Sequence, residues 1–81
     1  MSSKYPPLTF KEVVRGLKQL GFEPRKQKAT SHQHWVKVIN GRMYKVTVDQ
    51  PKSPFTHDLV KSMASQAGVS KDEFYRACRG C

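Results

Sequence analysis

Asn40-Gly41 lies between two segments that alternate apolar and polar side chains, residues 32–39 and 42–48. Both residues of that dipeptide accept the positive φ of a type I′ turn, so the two segments read as a β-hairpin. A two-residue turn also sets the register, because residue 39 must pair with residue 42. That pairing puts Trp35, Ile39, Tyr44, Val46 and Val48 on one side of the sheet. His32, His34, Val36, Val38, Met43, Lys45 and Thr47 fall on the other. The first set is richer in large apolar groups and is expected to face the helices, leaving His32 and Lys45 on the open face or near its edge.

The flanking segments carry equally local signals. Thr9-Phe-Lys-Glu12 has the form of a capping box, followed by apolar residues at Phe10, Val13, Val14, Leu17 and Leu20 on one helical stripe. Gly21 suits the left-handed stop. Residues 22–28 read as a short strand, limited by Pro24, which has no amide to donate. Ala29, Thr30 and Ser31 form the turn into the hairpin. Residues 49–55, with Pro51, Lys52, Ser53 and Pro54, are a loop by composition. A second helix is expected from an N-cap at Thr56, with Asp58 in its first turn. Its buried stripe is Leu59, Val60, Met63, Ala64 and Ala67, and Gly68 ends it. Ser70-Lys-Asp-Glu73 is a second capping box, with Val69 and Phe74 at hydrophobic-staple spacing. A third helix then covers about residues 71–78. The expected fold is α+β: a three-stranded antiparallel sheet with helices on one face, in the order α-β-β-β-α(-α). Residues 1–8 read as a flexible N-terminal lead-in stiffened by Pro6 and Pro7, and residues 9–81 as a single domain.

Eighty-one residues support one domain that buries roughly 60 % of its unfolded surface, which favours a surface groove over a deep pocket. Fifteen Lys and Arg against six Asp and Glu give a net charge of +9. That field attracts polyanions and releases their counterions, so nucleic acid is the first candidate partner and an acidic protein the second. A membrane surface fits poorly, since no helix pairs a Lys/Arg-rich face with a bulky apolar one. No apolar run approaches the roughly 20 residues that span a bilayer. The N-terminus lacks the apolar core of a signal peptide, so a cytoplasmic location is expected. Cys78 and Cys81 then read as reduced thiols; their Cys-x-x-Cys spacing lacks a second pair or a strand–helix setting.

The three histidines are His32, His34 and His57. A zinc site would need three or four ligands at recognisable spacing, and His-x-His supplies two, so neither a metal nor another cofactor is expected. Four of the six carboxylates, Glu12, Asp58, Asp72 and Glu73, fall in helix first turns, where the dipole accounts for them. No nucleophile motif and no phosphate-cradling glycine loop is present. What remains is His32 beside Arg25, Lys26 and Lys28. An imidazole titrates near neutrality and can move a proton at a phosphate that cations hold. RNA suits this apparatus because its 2′-hydroxyl attacks the neighbouring phosphorus once deprotonated, a route DNA lacks. His32 would be that base, or the acid for the leaving oxygen; Lys26, Lys28 or Lys45 would stabilise the phosphorane-like charge. A non-catalytic RNA-binding module, or a domain whose basic face meets an acidic protein, would share much of this composition. His32 read as an ordinary exposed strand residue fits those alternatives.

Leu17-x-x-Leu-Gly-Phe22, the basic stretch at 25–28, Ala-Thr-Ser-His32, the Asn-Gly hairpin, Val46-Thr-Val48 and Leu59-Val-Lys-Ser-Met-Ala-Ser-Gln-Ala-Gly-Val-Ser70 together resemble the HicA (YcfA-like) toxins. The similarity runs from about residue 9 to residue 74 and rests on the order of elements more than on any one motif. It implies a fold like that of double-stranded-RNA-binding domains, ribosome-independent mRNA interferase activity, and a HicB antitoxin that covers the active site. The family's functional histidine falls on His32. Residues implied to hold RNA match the basic turn, Arg25, Lys26, Lys28, Thr30 and Ser31. Two positions depart from the usual pattern: Ala29 stands where members carry glycine, and Asp49-Gln-Pro51 replaces a Pro-x-His.

Overall fold

The Asn40-Gly41 turn takes φ values of 50° and 78°, the positive pair that a type I′ hairpin requires. It joins strand β2 (His32–Ile39) to strand β3 (Arg42–Asp49), which pair antiparallel from Ile39–Arg42 down to His32–Asp49. The register is the expected one, and the ladder continues one pair past Val48. The computed structural model describes residues 6–25 and 32–79. Strand β1 is only Glu23–Pro24, set opposite Val36 and Trp35, with the Arg25 N–H donating to the His34 carbonyl at 2.8 Å. The sheet order is β1-β2-β3, so Pro24 lies on an edge where its missing amide costs no ladder bond. Of the strand expected over 22–28, residues 26–28 lie outside the described residues, as does the turn at 29–31.

Helix α1 (Phe10–Gln19) begins with the expected capping box: Glu12 N–H donates to Thr9 Oγ1 and Thr9 N–H to Glu12 Oε1. It ends at Gly21 (φ 93°), where Gly21 N–H reaches Lys18 O and Phe22 N–H reaches Leu17 O, a Schellman closure. Helix α2 (His57–Ala67) closes in the same way at Gly68 (φ 74°). Its N-cap is Thr56, but no side-chain capping bond forms there. Helix α3 (Lys71–Arg79) starts with Glu73 N–H donating to Ser70 Oγ at 3.1 Å. The loop after β3 holds a short 3-10 turn, Gln50–Lys52.

The core forms where the apolar face of the sheet meets the helices. Trp35, Val46 and Val48 pack in one cluster with Val13 and Leu17 of α1, Val60 and Met63 of α2, and Phe74 and Cys78 of α3. Fully burying side chains such as Leu17 and Phe74 contributes about 1.5–3 kcal/mol each. Lys37 shares that face without entering the core: its Nζ donates to the Leu20 carbonyl and sits 5.7 Å from the Phe22 ring centroid. One expectation needs correction. The lead-in over residues 1–8 does not extend to Leu8, which is buried and exchanges backbone hydrogen bonds with Phe55. A buried leucine has a hydrophobic reason to dock, and Phe55 supplies the bridge. On the other face, Val38 is 66 % and Met43 55 % exposed, so none of the described residues covers that face near the hairpin turn.

Candidate active site

Antiparallel ladders alternate hydrogen-bonded pairs with pairs whose side chains approach more closely. The turn makes Ile39–Arg42 a hydrogen-bonded pair, so every second pair from there, on the open face, is of the close kind. His34–Thr47 and His32–Asp49 both belong to that set. His34 Nδ1 accordingly lies 3.1 Å from Thr47 Oγ1, and His32 Nε2 lies 3.5 Å from Asp49 Oδ2. The outward Thr47 N–H, freed from the ladder, donates to Gln66 Oε1 of α2 at 3.1 Å. This bond ties α2 to the edge of β3.

His32 is the exposed member of its pair, its side chain 55 % accessible against 24 % for Asp49. The carboxylate therefore backs the ring, which faces solvent. His34 is half-buried, and its pKa is lowered from 6.5 by burial first and then by the charges of Lys45, His32 and Arg25. Three of the sequence-identified residues thus surround His34: His32, Arg25 and Lys45. Lys45 lies opposite Val36, four residues from Asp49 along β3, which is about 13 Å at ~3.3 Å per residue. It is on the same face as His32 but does not share its immediate surroundings. Lys26, Lys28, Thr30 and Ser31 lie outside the described residues. His57 opens α2, half-buried.

Beside His32 and Asp49 a pocket of about 240 Å³ opens between the end of β3 and α2. Phe55, Leu59 and Met63 supply its apolar floor; Lys52, Ser62 and Gln66 stand around it. Leu59, Ser62, Met63 and Gln66 follow the i, i+3, i+4, i+7 spacing of one helical face. Two of these neighbours were missed in the sequence. Asp49 falls in the stretch 49–55 that composition marks as loop, although carrying the hairpin register one pair further sets it opposite His32. Lys52 follows it around the 3-10 turn, which no local signal announces. Among the described residues, no three His, Cys, Asp or Glu side chains converge as metal ligands. No helix of the described residues is long and apolar enough to cross a membrane.

The arrangement offers an imidazole backed by a carboxylate, a lysine in the same pocket, and Lys45 farther along β3 on the same face as His32. Residues 10–69 match the family model described as HicA toxin of bacterial toxin-antitoxin. No curated protein and no solved structure gives a match. The matched span takes in α1, the whole sheet, α2 and the His32–Asp49 pair, and the chain belongs to the HicA toxin family of bacterial toxin–antitoxin systems, whose members act with a cognate antitoxin.

Proposed function

We propose that this toxin is an endoribonuclease that cuts mRNA through His32 without a metal. The observation that carries the reading is the exposed His32 ring set 3.5 Å from Asp49, beside a lysine-bearing pocket, in a chain of net charge +9. His32 takes the proton from a ribose 2′-hydroxyl, and the 2′-oxygen bonds to the adjacent phosphorus. The bond from phosphorus to the 5′-oxygen breaks, and that oxygen leaves with a proton supplied by His32 or by water. The products are a 2′,3′-cyclic phosphate and a 5′-hydroxyl. Asp49 holds the imidazole in orientation during the transfer. Lys52 offsets the charge that builds on the phosphorane. Arg25, Lys26, Lys28 and Lys45 hold phosphates of the RNA, with Thr30 and Ser31 as hydrogen-bonding groups. A HicB-like antitoxin would silence the toxin by covering this face.

The test is RNA cleavage by the wild type and by His32→Ala, each with and without a chelator. The expected result is chelator-resistant cutting that leaves cyclic phosphate ends and falls at least about 100-fold in the variant. Undiminished cleavage by His32→Ala rejects the mechanism. Salt-sensitive RNA binding by the wild type with no product would instead make the chain a non-catalytic RNA-binding module.

A further inference from the structure

We infer that the pocket between β3 and α2 is a nucleobase subsite that seats the base next to the cleaved phosphate and prefers guanine to adenine. The inference rests on the endoribonuclease reading for its substrate and goes beyond it in assigning a recognition site. Size is the first argument. At about 240 Å³ the pocket falls below the roughly 300–1,000 Å³ of drug-sized ligand sites and suits a single ring system. Position is the second. The pocket shares His32 and Asp49 with the candidate active site, so a base seated in it brings its own ribose and phosphate to the imidazole.

Chemistry decides the occupant. A nucleobase has apolar faces and a polar edge, and single-stranded RNA can splay one out for inspection. The floor of Phe55 and Met63, both buried, with half-buried Leu59, matches the faces. The edge meets Ser62 and Gln66, both exposed on α2. Gln66 is already oriented: its amide oxygen accepts the Thr47 N–H, so its nitrogen is left as the donating end. A donor at the rim favours a base with adjoining acceptors. Guanine offers N7 and O6 side by side, whereas adenine puts an amino donor beside its N7. The excess of positive charge on the chain favours a nucleotide over a neutral or cationic occupant.

The test titrates the wild-type protein with each of the four nucleoside 3′-monophosphates and follows backbone amides by NMR, alongside an RNA cleavage assay. Guanosine 3′-monophosphate should shift the amides of Leu59, Ser62 and Gln66 and bind about tenfold tighter than the adenosine compound. Ser62→Phe, at an exposed helix position, fills the pocket and should abolish those shifts while the rest of the spectrum holds. Ser62→Ala, which removes only the hydroxyl and leaves the space open, should weaken the shifts without abolishing them. Shifts confined to β2 and β3, or equal binding of all four nucleotides, overturn the subsite. So does a Ser62→Phe variant that binds nucleotide normally but no longer binds a purified antitoxin, which would make the pocket a protein contact. Base-selective shifts without RNA cleavage would leave the subsite standing and refute the nuclease; cleavage without those shifts would do the reverse.

Discussion

His32 and Asp49 meet across the last pair of the β2–β3 ladder, Nε2 to Oδ2 at 3.5 Å, eight residues from a turn that fixes their register. The pair is close because the turn makes it one of the non-hydrogen-bonded set, in which side chains approach most nearly. Asp49 is the less exposed partner, so the carboxylate can orient the ring without blocking it.

Asp49→Asn keeps the shape of that side chain and removes its charge. A partly exposed pair of this kind contributes at most about 1 kcal/mol, so the expected loss of kcat is about fivefold, with KM and the thermal midpoint nearly unchanged. Steady-state cleavage kinetics check this. A rise in KM with kcat intact would show that Asp49 acts in binding and not on the imidazole.

His34 differs from its neighbour in being half-buried and bonded to Thr47. Burial is the larger reason its pKa lies below 6.5, and Lys45, His32 and Arg25 nearby lower it further. As acid is added, the unfolded chain therefore takes up this proton before the folded one does. The associated stability is present above about pH 6.5 and is lost as the pH falls through the folded value. An NMR titration should find the His34 midpoint below 6.5, and Lys45→Met should raise it only part of the way, because burial remains. A His34 midpoint at or above 6.5 would contradict this account.

Much of this was legible in the chain because the deciding signals are local. Asn40-Gly41 set the register, and alternation then sorted Trp35 and Val46 from His32 and Lys45. Gly21 and Gly68 marked helix ends that need a left-handed residue. What escaped depended on distant partners. Leu8 docks because Phe55 lies beside it, and nothing near Leu8 in the sequence says so. Asp49 looks like loop because Gln50 and Pro51 follow it, yet strand pairing reaches it before the chain turns. The pocket wall comes from Ser62 and Gln66, polar positions that lie outside the apolar stripe of their helix. The packing of α2 against β3, with the bond from Thr47 to Gln66, puts that polar flank beside the site.

Gly16 of α1 lies directly against Cys78 of α3. A Cβ built on Gly16 would stand 2.9 Å from both the Cα and the N of Cys78, backbone atoms that cannot rotate away. Gly16→Ala gains about 1 kcal/mol of helix propensity. Overpacking of this kind costs about 1–3 kcal/mol, so the variant should be less stable in urea denaturation. A more stable Gly16→Ala protein would mean that the helices have room to separate.

The Cys78 thiol is fully buried, and that burial, with the nearby Glu12 charge, pushes its pKa up to about 12. The group should be inert in the native state. With Cys81→Ser as background, a thiol reagent at pH 8 should label Cys78 only after denaturant is added. Above pH 9 the unfolded chain loses this proton while the folded one keeps it, so stability should fall as pH rises toward 12. The slope is at most about 1.4 kcal/mol per pH unit and should be absent in Cys78→Ala. Rapid native labelling would show the helices opening at this contact.

Lys45 and Lys52 should separate kinetically. Lys52 shares the pocket with His32 and Asp49, whereas Lys45 lies four residues up β3 from Asp49. A cation at the reacting phosphate acts in the transition state, and one that grips a flanking phosphate acts on the bound strand throughout. Lys52→Gln should therefore lower kcat by about tenfold with a small change in KM. Lys45→Gln should leave kcat in place, raise KM, and reduce the slope of log affinity against log salt by about 0.7, the loss of one single-strand phosphate contact. If Lys45→Gln lowers kcat more than Lys52→Gln does, the reacting phosphate sits farther up the sheet than the His32–Asp49 pair, and His34, half-buried among the cations there, becomes the group to replace next.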